Sequence, residues 1–265
     1  MLPTPSPSMP ACSAWKSSLT DMRARQRHFN PAHAGATLAL DARYIDQAND
    51  SEVSTWSALP RSSFSLSQST ANRRPLLKLA AVNGQNTVRL DGSNDVMTCG
   101  RIATTSNFTT ICLIKGSGQQ NRNVWAQRDG GVANVGRTAF CTSEDSTSPY
   151  TTSRLFFNNG TSYSVRSTTT VLDGSLKMFV SESDGSGASH VRINNGAKEG
   201  TLTGQSWTPE NANVLVGALV DGSNNAINAF SGDLSALTFF PEQLSNALRN
   251  KVSRSLAMAF KISCN

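Results

Sequence analysis

The chain has 265 residues, enough to bury a full core as one domain of 200 or more residues. Only 16% are charged, and abundant Gly, Ser, Thr and Asn separate short β-branched runs, which excludes a mainly helical protein and points to a turn-rich all-β one. The formal charge of +6 does not mark a basic surface: residues 1–35 and 242–265 each carry a net +3, and the body from Ala36 to Pro241 holds sixteen charges of each sign.

Residues 1–35 open with Pro3, Pro5, Pro7 and Pro10 and then carry Arg23, Arg25 and Arg27. Such a segment builds no core of its own and reads as an extended basic arm, either a flexible leader or an assembly arm that docks on a neighbour through those arginines. The first strand is predicted over Thr37 to Ile45, followed by a polar stretch around Trp56, which reads as a core anchor. Arg61 to Arg74 is a Ser-rich surface connection. Short strands are predicted over Pro75 to Ala81 and Thr87 to Leu90, and a long one over Phe108 to Ile114 that is apolar on both faces. About a dozen strands complete the chain, and Asp-Gly-Ser recurs at Asp91, Asp173, Asp184 and Asp221 as the turn between them. From Leu234 the chain is again apolar on both faces, with Leu234, Ala236, Thr238 and Phe240 on one side and Leu237 and Phe239 on the other. Pro241 must end that strand, and Leu244, Leu248, Val252, Leu256 and Phe260 recur every four residues as the apolar face of a helix over about 245–260, with Ser245 as N-cap. The expected architecture is an all-β, two-sheet antiparallel β-sandwich over residues 36–265, with an extended N-terminal arm and one C-terminal α-helix.

Several motifs recur in an order that resembles the concanavalin A-like lectin/glucanase (laminin G-like) jelly-roll family. They are Leu40-Asp41-Ala42, Trp56 in a polar stretch, Arg89-Leu90-Asp91-Gly92-Ser93-Asn94-Asp95, Gly232-Asp233-Leu234 and Leu244-Ser245-Asn246-Ala247. The resemblance covers roughly Ala36 to Ala259 and implies the sandwich; it assigns no function, since the family includes lectins, glycosidases, adhesion modules and virion proteins. Glycosidases of this family carry E-x-D-x-x-E on one strand. Glu182-Ser183-Asp184 begins that pattern, but Gly187 stands where the second glutamate belongs, and Ala188 where a bulged variant would place it. The chain is therefore expected not to be an enzyme, and Asp184 to Gly187 reads as a hairpin tip. Family members also hold calcium at a rim, and Asp91, Asn94 and Asp95 offer oxygens, but no 12-residue acidic loop accompanies them; no cofactor is expected beyond that calcium possibility.

Five cysteines lack C-x-x-C spacing and read as free thiols, and three histidines at no ligand spacing support no zinc site. No apolar run spans a membrane, no signal peptide is visible, and no basic face with interleaved aromatics offers specific nucleic-acid readout. The expectation is a soluble, cytoplasmically made, non-catalytic assembly module, a viral (bacteriophage) virion protein decorating a capsid or tail. It would be oligomeric in that assembly, meeting other virion proteins through residues 1–35 and the C-terminal helix. The alternative is a glycan-binding lectin or adhesin at a cell surface, with Trp207 beside Pro209 as the ring on which a sugar stacks.

Overall fold

The structure is a computed structural model, and it describes residues 30–117, 122–128, 137–142, 152–158, 162–205 and 208–264. The first sheet runs, in spatial order, β14 (Glu199–Leu202), β13 (Ser189–Ile193), β12 (Asp173–Asp184), β7 (Asn107–Ser117), β18 (Ser231–Phe240), β5 (Gln85–Asp91) and β4 (Leu76–Val82). β1 (Leu38–Asp41) pairs with β18 off this path. The second sheet runs β11 (Ser162–Arg166), β10 (Ser153–Asn158), β9 (Arg137–Thr142), β8 (Asn123–Gln127), β15 (Val214–Val216), β6 (Met97–Cys99), β3 (Leu66–Ser67) and β2 (Thr55–Trp56). A short hairpin, β16 (Leu219–Val220) and β17 (Ala226–Ile227), lies apart from both. The named strands pair antiparallel throughout, so the expected two-sheet sandwich with one C-terminal helix, α1 (Asn246–Phe260), is the observed fold.

Between the sheets, Phe108, Trp125, Phe157, Phe179, Phe230 and Phe239 fill the main core. Phe108 stacks on Phe239 with centroids 5.6 Å apart, and Trp125 meets both rings edge-on at 6.4 Å. Trp56 is 1% exposed and belongs to the same core, as its sequence context predicts. A second apolar cluster lies on the other face of the first sheet, where Ile111, Leu113, Met178, Val180, Ala236 and Phe240 meet Val252, Leu256 and Phe260 of α1. Strands β7 and β18 therefore bury both faces, which is why neither alternates apolar with polar residues.

One face assignment changes. The pairing of β18 with β7 shifts register between Leu234 and Ala236, so Ser235 is an extra residue and Leu234 turns inward with Leu237 and Phe239. The same bulge divides the far edge of β18: Asp233 and Leu234 pair with β5, and Ala236 to Phe239 pair with β1. Period-two reading across residues 234–240 misses this, because a bulge leaves no mark in the hydrophobic pattern.

Helix α1 begins as predicted, with the Ser245 hydroxyl accepting from Leu248 N–H at 3.3 Å. It ends at Lys261 in the left-handed region, φ 54°. Upstream, Pro31–Ala34 forms a 3-10 turn capped by Asn30, and Ala32 and Ala36 pack into the cluster beneath the helix.

Candidate functional site

The family-like motifs sit at structural joints. Asp41 caps the 3-10 turn Ala42–Tyr44, accepting from Arg43 N–H at 3.0 Å and pairing with the Arg43 guanidinium. Arg89 of β5 faces Asp233 of β18, with Nε to Oδ1 at 2.9 Å and Nη2 to Oδ2 at 3.1 Å, a bidentate fork that locks the two strands in register. All four Asp-Gly-Ser segments are the same turn: Oδ1 of Asp91, Asp173, Asp184 and Asp221 accepts from the backbone N–H two residues on, at 2.7 to 2.9 Å. Asp184 thus closes the β12–β13 hairpin, as expected.

Asp95 is buried and accepts from Asp91 N–H at 2.8 Å. Burial pushes its carboxyl up to about 6, the Asp91 hydrogen bond opposes that, and the Asp91 charge adds to it. Asp91 spends one oxygen on Ser93, Asn94 and Asp95 N–H groups. Among the described residues no group of three or more His, Cys, Asp or Glu side chains is placed to hold a metal ion. Cys99 and Cys112 are free and buried and Cys264 is free and half-buried; burial pushes the Cys99 thiol up to about 12, so it is inert as a nucleophile at neutral pH. Cys12 and Cys141 fall where no side chain is described.

Glu182 lies on the α1 face of β12, 1% exposed. His190 Nε2 stands 2.7 Å and Arg192 Nε 3.0 Å from its Oε2, and Arg249 Nη1 stands 3.3 Å from its Oε1. Arg249 also donates to Asn195 and Asn246, and Arg192 to the Gly196 carbonyl. Burial by itself would raise the Glu182 carboxyl, but the hydrogen bonds from His190 and Arg192 and the charges of His190 and Arg249 hold it down to about 2. This is a closed ionic joint between sheet and helix. Arg249 falls off the Leu244-to-Phe260 apolar repeat of the helix and is buried all the same, because Glu182 lies beneath it.

A polar cavity of about 480 Å³ lies on the outer face of the second sheet. Its floor is Val96, Thr98 and Leu215, where β6 and β15 pair Thr98 with Leu215. One wall is the Gln68–Arg73 connection, a second is Asn211 to Asn213, and a third is the β16–β17 hairpin with Val220 and Asn224. Thr98 Oγ1 is held by the Val214 carbonyl at 3.1 Å, and Gln68 Nε2 by the Val96 carbonyl at 2.6 Å, so these polar groups are fixed. Side-chain amides, hydroxyls and two guanidiniums, Arg73 and Arg128, surround a small apolar floor, and among the described residues no carboxylate lines it. Such a lining suits a ligand rich in hydroxyl groups.

None of the nominated binding residues falls on described structure. Trp207 lies outside the described residues, as do Arg23, Arg25 and Arg27. Asn211 to Asn213, a few positions after Trp207, form a cleft wall. Arg73, Thr98 and Asn213 went unnominated because three distant segments build the cleft, and no local pattern links them.

No family model matches the sequence, and no curated protein is significantly similar to it. The fold is that of a lectin-like jelly-roll β-sandwich. Among solved structures it is similar to domain 4 of AbnA, a GH43 extracellular arabinanase from Geobacillus stearothermophilus, solved in complex with arabinotriose (TM-score 0.54, 11% identity, 83% of this chain and 98% of that one). It is also similar to the binding domain of Paraclostridial Mosquitocidal Protein 1 (TM-score 0.58, 10% identity, 86% of this chain and 52% of that one). A third similar structure is the receptor binding domain of botulinum neurotoxin D (TM-score 0.57, 12% identity, 86% of this chain and 54% of that one). The chain thus spans nearly all of the first domain and about half of each toxin domain; at these identities the likeness is one of fold.

Proposed function

We propose that the chain is a non-catalytic binding module of the laminin G-like type that recognises a glycan through the outer cleft of the second sheet. The observation that carries this reading is the cleft itself: the Gln68, Asn211 and Asn213 amides stand around a floor of Val96, Thr98 and Leu215, with Gln68, Thr98 and Asn211 held by hydrogen bonds. Sugars present alternating hydroxyl and C–H faces, and this lining matches both. Two of the fold neighbours support the direction, one solved with an arabinose oligosaccharide and one a receptor binding domain. Glu182, sealed by two arginines and a histidine under α1, is a structural carboxylate in this reading and takes no part in hydrolysis.

Trp207, four positions before Asn211 in the sequence, is the candidate stacking ring of this reading. The test is a cell-wall and animal glycan array, with and without calcium, followed by calorimetry on the best ligand. Saturable binding that Asn213→Ala and Trp207→Ala each weaken by roughly tenfold or more, with melting unchanged, is expected. Binding that survives Asn213→Ala intact moves the site elsewhere.

Assembly within a virion is the second reading. It is favoured by one observation: the anchored turn Pro31–Ala34 and helix α1 share one apolar cluster on the same side of the first sheet. An arm and a helix joined there would form one composite face for a neighbouring subunit of a capsid or tail.

A further inference from the structure

The guanidinium of Arg73 is incompletely satisfied. Its Nη1 donates to the Asn224 carbonyl at 3.1 Å, while Nε and Nη2 are buried with no hydrogen-bond partner. The adjacent Arg74 shows what a structural arginine does in this protein: it donates to the Gln68 and Ser69 carbonyls and pairs with Glu52. Nε and Nη2 together form the fork edge of a guanidinium, the edge that Arg89 presents to both oxygens of Asp233 in the same molecule. At Arg73 that edge has its charge and its geometry but no acid. Among the described residues the cleft it lines includes a second guanidinium, Arg128, and no carboxylate.

We propose, on the glycan reading above, that the ligand is an acidic sugar whose carboxylate or sulfate is taken by the fork edge of Arg73. That edge is buried in the unliganded chain. The guanidinium reaches the ligand by turning into the cleft and giving up its one neutral hydrogen bond, to Asn224. That exchange is favourable because a neutral hydrogen bond is replaced by a charge-assisted pair and two buried donors gain acceptors. Asn224 has φ 62° in the β16–β17 turn, a short connection whose carbonyl is left on the exposed side of the cleft and rehydrates without cost to the sandwich.

Three matched ligand pairs test this by calorimetry on the full chain: oligogalacturonate and its methyl ester, sialyllactose and lactose, and a sulfated galactan oligosaccharide and its desulfated form. The acidic member of at least one pair should bind roughly tenfold or more tightly than its neutral partner. Carboxylate and sulfate sources are separated by which pair responds. Arg73→Gln should abolish that preference, and Arg73→Lys, which keeps charge and stem but loses the fork, should restore only part of it. Equal affinity for acidic and neutral members, or an acid preference that persists in Arg73→Gln, overturns the acidic assignment and leaves glycan binding standing. Absence of binding to all six overturns both. Melting temperatures of the two variants, expected to match the parent, separate lost recognition from lost fold.

Discussion

At Glu182 one carboxylate meets two guanidiniums and an imidazole in a space closed to water. Removing the carboxylate charge leaves Arg192 and Arg249 buried without an anion, so Glu182→Gln should destabilise the fold by roughly 3–5 kcal/mol, read as the loss in a denaturant melt. The pH dependence has a definite sign. The folded carboxyl is held down to about 2, below its unfolded value, so its contribution is complete above the unfolded pKa and is lost as pH falls through about 2. The parent should therefore lose stability most steeply from about pH 4.5 downward, and Glu182→Gln should show a flatter acid limb. Parallel limbs in the two proteins would mean that the joint carries little of the linkage.

At the scale of elements, the joints are made where a chain segment must pass close to another backbone. Gly217, between β15 and β16, donates to the Val124 carbonyl at 2.9 Å and accepts from Phe230 N–H at 2.7 Å. It has φ +99°, and a Cβ there would stand 2.6 Å from Leu90 Cδ2 and 2.8 Å from the Asp95 carbonyl oxygen. Gly174, in the turn opening β12, has φ +83° but open space around it. Gly217→Ala is expected to cost about 3 kcal/mol or more, from backbone strain plus overpacking, and Gly174→Ala only about 1 kcal/mol from strain. Equal melting shifts for the two would show that φ alone sets the cost. The Ser235 bulge belongs to the same scale: by splitting the edge of β18 between β5 and β1, it lets one central strand serve two partners.

Across the whole molecule, two apolar clusters share β7 and β18 as a common wall, one between the sheets and one under α1. The second includes Ala32 and Ala36, so the chain is tied to the helix side from residue 30 onward. Deleting residues 1–29, which precede the Asn30 cap, should leave stability within about 0.5 kcal/mol of the parent and glycan binding intact. Deleting residues 1–36 removes buried alanines and the Asn30 cap and should destabilise by about 1–2 kcal/mol. If the shorter deletion abolishes incorporation into a particle while binding persists, the arm is an assembly element; unimpaired incorporation would sink that reading.

The two-sheet class, the β7 and β18 strands buried on both faces, the four Asp-Gly-Ser turns, the end of β18 at Pro241 and the Ser245-capped helix were all legible in the residues. Each depends on neighbours a few positions apart, through side-chain alternation, a self-bonding Asp, a missing N–H or a four-residue repeat. The Ser235 bulge, the burial of Arg249 over Glu182 and the cleft around Arg73 were not, because each arises from segments brought together over long sequence separations. A lone arginine at position 73 and another at 74 look alike in a Ser-rich stretch. Only the tertiary structure separates them, since it supplies carbonyls and a carboxylate to Arg74 and leaves the fork of Arg73 unfilled.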